Sequence, residues 1–259
     1  MPTALIVEDE PEANHLLSML VQLRGYRADS ALTGAEALEL AGRRPPDVAF
    51  LDVMLPDLNG FEVCRALKTR RATSPAPVVM VTARLSPDNR LECLRAGAEG
   101  YIPKPYMPDQ IFEALDAAAA SRRALQAEPD VGTFPLDVGD EPASLARVGR
   151  LWTLALARTR CEEPVARNLA QALADIALAA ASWGRRQGRD PVATISYRLE
   201  PDRLTLSIRD RSGWFSLGSP PRGLLGPLID RVGFDRFTDG DDEITLVRRV
   251  GRSGVGSGP

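Results

Sequence analysis

Short apolar runs alternate with amphipathic segments along the first 122 residues of the chain. The runs Ala4–Val7 and Val78–Val81 are apolar at every position, which is typical of strands covered on both faces of a parallel sheet. The pattern predicts strands at Thr3–Val7, Arg27–Ser30, Val48–Leu51, Val78–Val81 and Gly100–Ile102, and helices near Pro11–Arg24, Gly34–Gly42, Phe61–Thr69, Pro87–Ala96 and Met107–Arg123. Such strand–helix units predict an α/β doubly wound fold with a five-stranded parallel sheet, in which ligands bind beyond the carboxyl ends of the strands.

The pattern changes after residue 124. With 259 residues, and about 100–200 residues per domain, the chain is long enough for two domains. Residues 125–131 are predicted as a short acidic linker, residues 132–250 as a second, α+β domain, and the glycine-rich residues 251–259 as a flexible tail. The second domain is predicted to contain a strand, two helices, a hairpin of two strands, a helix and a strand, at Thr133–Val138, Ala143–Arg158, Val165–Trp183, Ala193–Leu199, Leu204–Arg209, Leu224–Val232 and Ile244–Val250.

The composition argues against several classes of partner. The net charge is −3, whereas a domain that binds nucleic acid is usually strongly basic, so we expect no nucleic-acid partner. No run of about 18 apolar residues occurs, and the first residues do not form a basic and apolar leader, so we expect a cytoplasmic protein without membrane contact. The three cysteines lack the Cys-x-x-Cys spacing of a zinc site, which fits a reducing compartment.

The single histidine of the chain, His15, lies in the first half. The residues after 125 contain no histidine and no lysine, and their 18 Arg are balanced by 18 Asp and Glu. That half therefore has no residue for a phosphohistidine, a Ser-His-Asp triad, a histidine-ligated metal or a lysine clamp on phosphate.

Reactive side chains follow four strands of the first domain. Glu8 and Asp9 follow the first strand, Asp52 the third, Thr82 the fourth and Lys104 the fifth. Three carboxylates at one edge of a sheet repel one another unless a cation neutralises them, and oxygen ligands of this kind suit Mg²⁺. A lysine and a hydroxyl beside them can hold phosphoryl oxygens. The sequence therefore predicts a magnesium and phosphoryl site at the carboxyl edge of the sheet.

The motifs around these residues resemble those of the receiver domain of two-component response regulators. They are Val7-Glu8-Asp9-Glu10, the run DVMLPDLNG from Asp52 to Gly60, Val81-Thr82-Ala83 and Tyr101-Ile102-Pro103-Lys104-Pro105. The resemblance covers residues 1–122, within a receiver domain predicted over residues 1–124, and implies a flavodoxin-like receiver fold. It also implies that a histidine kinase or a phosphotransfer protein is the partner that supplies a phosphoryl group.

The resemblance implies roles for the acidic residues. Asp52 would attack the phosphorus of a phosphohistidine and become an aspartyl phosphate. Asp9, Asp52 and the Met54 carbonyl would hold Mg²⁺, and Glu8 would assist through a water.

The resemblance also implies a switch. Lys104 would pair with a phosphoryl oxygen and precede a cis peptide bond to Pro105, while Thr82 would bond the phosphoryl group and let Tyr101 swing inward. The change would be read out at the face formed by the predicted helices Pro87–Ala96 and Met107–Arg123 and the strand Gly100–Ile102 between them. Receivers commonly dimerise at this face, so we expect a homodimer. This face carries charged side chains, which include Arg90, Arg95, Asp109, Glu113 and Asp116.

The order of elements in residues 132–250 is similar to that of the ATPase fold shared by histidine kinases and anti-sigma-factor serine kinases. The similarity rests on Leu173–Ile176 before Trp183-Gly184, on Leu206–Asp210 before Gly213-Trp214-Phe215, and on Arg222–Ile229 before Val232 and Phe234. The family uses a Glu and an Asn four residues apart on its long helix, and this chain has Asp175 and Ala179 there. The Asp-x-Gly-x-Gly loop of the family starts here at Asp210, with the bulky Trp214 where glycine lets the backbone approach a nucleotide.

These departures predict a degenerate, sandwich-like domain that is not an enzyme. Asp210 also fits a plain turn residue, and Trp214 fits either a lid over an empty pocket or ordinary core. The leading hypothesis is a response regulator in which phosphorylation of Asp52 switches docking of the second domain on an unidentified output protein. The alternatives are a receiver-gated, ATP-dependent serine kinase of the anti-sigma type and a DNA-binding transcriptional regulator.

Overall fold

A parallel sheet lies at the centre of the first half of the chain. The computed structural model describes residues 1–83, 92–136, 141–187, 193–210, 235–238 and 243–249, and the chain divides into two units, Met1–Glu128 and Pro129–Pro259. The strands of the first unit are β1 (Thr3–Val7), β2 (Arg27–Ala31), β3 (Val48–Leu51), β4 (Val78–Thr82) and β5 (Gly100–Pro103). They pair in the order β2-β1-β3-β4-β5, and every neighbouring pair is parallel. The predicted flavodoxin-like sheet is confirmed.

Four helices of the first unit are described, and their first turns explain where they begin. They are α1 (Pro11–Leu23), α2 (Gly34–Arg43), α3 (Gly60–Thr69) and α4 (Pro108–Ala127). The Thr33 side chain accepts a hydrogen bond from the Glu36 N–H at the start of α2, and Asn59 and Glu62 form a capping box at the start of α3. Of the helix predicted at 87–96, residues 87–91 lie outside the described residues, and residues 92–95 are helical.

The strands are buried on both faces, as their uninterrupted apolar runs predict. All five residues of β1 and all five of β4 are buried. Alternate side chains enter two different clusters, so that Leu5 and Val7 pack on one face of the sheet while Ala4 and Ile6 pack on the other. The polar side chains that follow the strands therefore stand at the edge of a rigid support.

The last helix of this unit, α4, is bonded to the edge of the sheet where the strands begin. The Ser121 hydroxyl donates to the carboxylate of Glu99, which precedes β5, over 2.6 Å. Arg122 forms an ion pair with Asp47, which precedes β3. The end of α4 is thus held by two side chains at the edge remote from Asp52.

An antiparallel sheet forms the centre of the second unit. Its strands are β6 (Val131–Leu136), β7 (Ala193–Glu200), β8 (Arg203–Asp210), β9 (Asp235–Thr238) and β10 (Glu243–Arg249), and its described helices are α5 (Glu141–Arg158) and α6 (Glu163–Gln187). The strands pair in the order β6-β7-β8-β10-β9. In β7 and β8 the apolar side chains alternate with polar ones and are buried. Among the described residues, no helix has the length and apolar character needed to cross a membrane.

The linker predicted over residues 125–131 is shorter in the structure. Helix α4 continues to Ala127, and β6 begins at Val131. The carbonyl of Asp130 accepts a hydrogen bond from the Leu199 N–H at 2.8 Å, and its carboxylate accepts one from Arg158 at 2.6 Å. The Tyr197 hydroxyl donates to the Pro129 carbonyl at 3.3 Å. Pro129 and Asp130 are therefore part of the second unit, which the local acidic composition did not reveal.

Two further differences concern the strands of the second unit. The strand predicted at Thr133–Val138 begins two residues earlier, at Val131, and its residues 137–138 lie outside the described residues. The short strand β9 was not predicted at all. Its sequence, Asp-Arg-Phe-Thr, has little apolar alternation, and it forms by pairing with β10. The helix predicted at 224–232 and the tail predicted at 251–259 lie outside the described residues.

Candidate functional site

Three carboxylates lie together at the carboxyl edge of the parallel sheet. Glu8 and Asp9 follow β1, and Asp52 follows β3, which pairs directly with β1. One oxygen of each carboxylate lies within 4.8 Å of the other two. Glu8 and Asp52 are buried, whereas Asp9 is exposed. Solvent therefore reaches the cluster on the Asp9 side.

The Lys104 ammonium bridges the two buried carboxylates. Its nitrogen lies 2.5 Å from Oε2 of Glu8 and 2.5 Å from Oδ2 of Asp52. Burial lowers the pKa of Lys104, but the hydrogen bonds to Asp52 and Glu8 outweigh it, so the pKa is raised above its ordinary value. Burial raises the pKa of Glu8, and Lys104 offsets only part of this effect. The peptide bond from Lys104 to Pro105 is cis, as predicted.

The charges of the site suit a divalent cation. When ionised, the three carboxylates carry one more negative charge than Mg²⁺ balances, and the Lys104 ammonium supplies the remaining positive charge. Carboxylate oxygens that are partly open to solvent are the ligands that Mg²⁺ prefers, since it usually keeps several waters. The residues present therefore fit the predicted magnesium site.

The loop from Asp52 to Gly60 is closed tightly on the end of β3. The Met54 N–H donates to Oδ1 of Asp52 at 3.1 Å, and the Gly60 N–H donates to the Val53 carbonyl at 2.9 Å. A Cβ atom at Gly60 would lie only 2.0 Å from the Asp52 carbonyl oxygen. Glycine is therefore required at residue 60 for this close approach, which sets the position of Asp52 and Met54.

Asp57 connects the same loop to helix α2. Its carboxylate accepts hydrogen bonds from the N–H groups of Gly34 and Ala35, both at 2.8 Å. The hydrogen bonds from Ala35 and Gly34 lower the pKa of Asp57 below its ordinary value. Sequence reasoning missed this role, although Asp57 lies within the motif that suggested the site, because its partners are distant in sequence.

Asn14 is a second residue that sequence reasoning missed. It is buried in α1, where its Nδ2 donates to the Glu8 carbonyl at 3.1 Å and to the Ala31 carbonyl at 2.9 Å. Asn14 occupies a position of the buried stripe of α1 that also contains Leu17 and Val21. A polar residue at an apolar position of the helical period was the available signal.

The two predicted switch residues lie on the same face of the sheet. Thr82 ends β4 and is buried, and its carbonyl accepts the Lys104 N–H at 2.9 Å. Tyr101 lies on β5, where it is paired with Met80, the residue two positions before Thr82. Because side chains two apart on a strand share a face, Thr82 and Tyr101 point to the same side. Tyr101 is half-buried against the core cluster there.

The side chains predicted for a degenerate nucleotide site lie largely outside the described part of the chain. Asp175 lies on α6, where its Oδ1 accepts a hydrogen bond from Gln171 at 3.0 Å along the same helix. Ala179 and Asp210 lie in α6 and β8, but their side chains are outside the described part of the chain, as is the whole of Trp214.

One of the charged residues on the predicted dimer face is engaged within the first unit. Asp116 forms an ion pair with Arg24 at 2.5 Å, and the Arg24 guanidinium also lies over the Phe112 ring, 5.2 Å from its centroid. Asp116 therefore faces α1. Arg90 lies outside the described residues, and the homodimer stays a prediction.

Comparison with known proteins places the first unit in one family. The profile of the response regulator receiver domain matches residues 4–116. The transcriptional regulatory protein KdpE of Mycobacterium tuberculosis is 37% identical over 124 residues, which are 48% of this chain and 54% of KdpE. The DNA-binding dual master transcriptional regulator RpaA of Synechocystis is 32% identical over 45% of this chain and 48% of RpaA. The chain thus spans about half the length of these curated relatives.

Two further proteins are matched over a larger share of their own length. The chemotaxis protein CheY4 of Vibrio cholerae has a solved structure that is 30% identical, with 46% of this chain and 98% of that chain covered and a TM-score of 0.44. The response regulator MprA of Mycobacterium leprae is 34% identical over 157 residues, which are 60% of this chain and 67% of MprA. The chain belongs to the response regulators, and its first unit is a receiver domain.

Proposed function

We propose that Asp52 accepts a phosphoryl group from a histidine kinase or a phosphotransfer protein, with Mg²⁺ as cofactor, and that this event switches docking of the second unit on an output protein. The observation that carries the proposal is the convergence of Glu8, Asp9 and Asp52 within 4.8 Å, with Lys104 bridging Glu8 and Asp52. A buried nucleophile with a cation at one oxygen and an exposed acid beside it is an arrangement suited to phosphoryl transfer.

In the proposed transfer, each step is assigned to residues of this chain. An Asp52 oxygen attacks phosphorus, the bond from phosphorus to the donor imidazole breaks, and its electron pair leaves with the imidazole nitrogen. The Met54 N–H orients the Asp52 carboxylate for this attack through its hydrogen bond to Oδ1. Lys104 then exchanges its contact with Oδ2 of Asp52 for one with a phosphoryl oxygen and keeps its contact with Glu8.

Magnesium, when bound, supplies positive charge that neutralises the acids and the phosphoryl oxygens during transfer. Asp9, Asp52 and the Met54 carbonyl would hold it, with Glu8 behind a water.

The phosphodonor docks on the outer face of α1. This helix begins two residues after Asp9, and Leu16, Met19 and Leu23 are 51%, 49% and 75% exposed. Their spacing of three and four residues places them on one side of the helix. An exposed apolar stripe beside a phosphoryl site fits a helical partner that brings a phosphohistidine to Asp52.

Labelling with a small phosphodonor tests the phosphoacceptor. With Mg²⁺ and acetyl phosphate, the full chain should form an acid-stable, base-labile adduct, and Asp52→Asn should form none. Asp116→Asn, which removes an exposed acid paired with Arg24, is the matched control and should label normally. Full labelling of Asp52→Asn would contradict the assignment.

A kinase assay tests the docking face separately. Met19→Glu should slow transfer from a phosphorylated histidine kinase and leave labelling by acetyl phosphate unchanged, because only the protein donor needs α1. Equal rates with the protein donor for Met19→Glu and the wild type would contradict docking on α1.

A DNA-binding regulator is the second candidate, and the relatives favour it. RpaA is named as DNA-binding, so the expectation of no nucleic-acid partner is not supported by the comparisons. Against it stands the balance of 18 Arg and 18 acidic residues after residue 125, since DNA binding usually needs a basic surface. Retention of the phosphorylated full chain on duplex DNA at physiological salt would favour this candidate over protein docking.

A further inference from the structure

The Asn14 amide has only one orientation that satisfies its partners. Its nitrogen faces two carbonyl oxygens, those of Glu8 and Ala31, which accept hydrogen bonds and cannot donate them. Its oxygen faces the Ser18 hydroxyl at 3.5 Å, and Ser18 in turn contacts the Ser30 hydroxyl at 2.9 Å. The buried Asn14 amide therefore donates two hydrogen bonds at the end of β1, next to the site.

These contacts hold the main chain of Glu8 on both sides. The Glu8 N–H donates to the Ala31 carbonyl at 3.2 Å, and the Glu8 carbonyl accepts from Asn14 at 3.1 Å. The Glu8 side chain is bonded to Lys104. Glu8 is thereby fixed at its N–H, its carbonyl and its carboxylate.

We propose that Asn14 is a positioning residue for the magnesium site, a role that rests on the proposed function. Asp9 is the exposed acid of the cluster, and its peptide nitrogen is bonded to the Glu8 carbonyl carbon. The direction in which Asp9 leaves β1 therefore depends on the Glu8 carbonyl that Asn14 holds. Asn14 touches neither the metal nor the phosphoryl group, and it acts through the main chain at Glu8.

Loss of the Asn14 donors weakens magnesium binding without removing a ligand. Groups that orient metal ligands typically change metal affinity by about 10–100-fold when they are lost. The expected result for Asn14→Leu, which keeps the volume and removes both donors, is a magnesium Kd raised about tenfold. At saturating Mg²⁺ the labelling rate with acetyl phosphate should return close to that of the wild type, because the nucleophile and Lys104 are unchanged.

Calorimetric titration of the full chain with Mg²⁺ alone tests the proposal. Ser18→Ala is the matched control, because it removes a buried hydroxyl that bonds to Asn14 and Ser30. Ser18 lies one helical turn after Asn14 on α1, and these hydrogen bonds do not involve Glu8. Ser18→Ala should lower the unfolding temperature and leave the magnesium Kd unchanged. Asn14→Ser, which is too short to reach both carbonyls, is measured in the same way in case Asn14→Leu does not fold.

The possible results distinguish a failure of the positioning role of Asn14 from a failure of the magnesium site itself. A raised Kd in the Asn14 variants alone supports the positioning role. An unchanged Kd in a folded Asn14 variant, an equal rise in Ser18→Ala, or a labelling rate that saturating Mg²⁺ does not restore overturns it. Absence of magnesium binding by the wild type would overturn the site itself, and with it the role of Asn14.

Discussion

The Lys104 ammonium lies 2.5 Å from Oδ2 of Asp52, so the proposed phosphoacceptor is paired with the cation that would later hold its phosphoryl group. The same ammonium lies 2.5 Å from Glu8, which is buried and whose pKa is raised. Removal of Lys104 therefore changes both the stability of the receiver and its chemistry.

Lys104→Met should retain the fold, lose about 1–3 kcal/mol of unfolding free energy at pH 7, and label slowly with acetyl phosphate. Its two carboxylates lose their cation, so the pKa of Glu8 rises further. When the pKa of a group is higher in the folded than in the unfolded protein, its contribution to stability is fully present below the unfolded-state pKa and is lost as the pH rises through the folded-state pKa. For Glu8 the unfolded-state pKa is 4.5. The deficit of Lys104→Met against the wild type should therefore shrink as the pH falls from 7 towards 4.5 in urea denaturation.

Lys68→Met is the control for a lysine lost from the opposite edge of the sheet. The Lys68 ammonium donates to Glu99 at 3.0 Å and to the carbonyls of Ser74 and Ala76 at 3.1 and 3.0 Å. Its loss should destabilise the receiver and leave the magnesium Kd and the labelling rate unchanged. Slow labelling of Lys68→Met would show that general destabilisation explains the Lys104 effect.

Gly60→Ala should lower both stability and labelling. The added Cβ would lie 2.0 Å from the Asp52 carbonyl oxygen, so the loop must move, at a cost of about 1–3 kcal/mol. Gly42→Ala is the matched variant, because a Cβ at residue 42 meets nothing within 4 Å and alanine suits a helix better than glycine. Thermal unfolding and labelling rates measured together should show a loss in both for Gly60→Ala and none for Gly42→Ala.

Asp57→Asn tests the bond from the site loop to α2 by its pH dependence. The folded-state pKa of Asp57 is below the ordinary value of 3.8, so its contribution to stability is present above pH 3.8 and is lost as the pH falls through the folded value. The urea midpoint of Asp57→Asn should lie below that of the wild type at pH 7 and approach it under acid conditions. A difference that does not change with pH would show that the charge of Asp57 has no part in holding the loop.

The second unit should not bind Mg-ATP productively. In the proposed alignment of the second unit with the ATPase fold, Ala179 supplies no metal-binding oxygen and Trp214 stands at the position of a glycine. Loss of such a ligand costs about 2–4 kcal/mol, which moves a micromolar site towards the millimolar range. Titration of Mg-ATP into the full chain, with the receiver already saturated with Mg²⁺, should give no micromolar binding. Micromolar binding or phosphate transfer to a protein substrate would favour the receiver-gated kinase.

The sequence predicted the receiver sheet and the acids at its edge because both depend on local patterns. Apolar runs such as Val78–Val81 define buried strands, and the residue after each strand is placed at the edge by topology alone. Asn14 and Asp57 were missed because their partners, at residues 31 and 34–35, become neighbours only in the folded chain. The strand β9 was missed for a related reason, since it depends on pairing with β10 more than on its own composition.

The contacts of Pro129 and Asp130 bring the start of the second unit to within two residues of the end of α4 along the chain. Ser121 and Arg122 secure the end of α4, and the bonds from Tyr197, Leu199 and Arg158 secure the start of the second unit. Between Ala127, the last residue of α4, and Pro129 only Glu128 remains. A version of the second unit expressed alone should therefore begin no later than Pro129, because a start at β6 would remove the partners of Tyr197, Leu199 and Arg158.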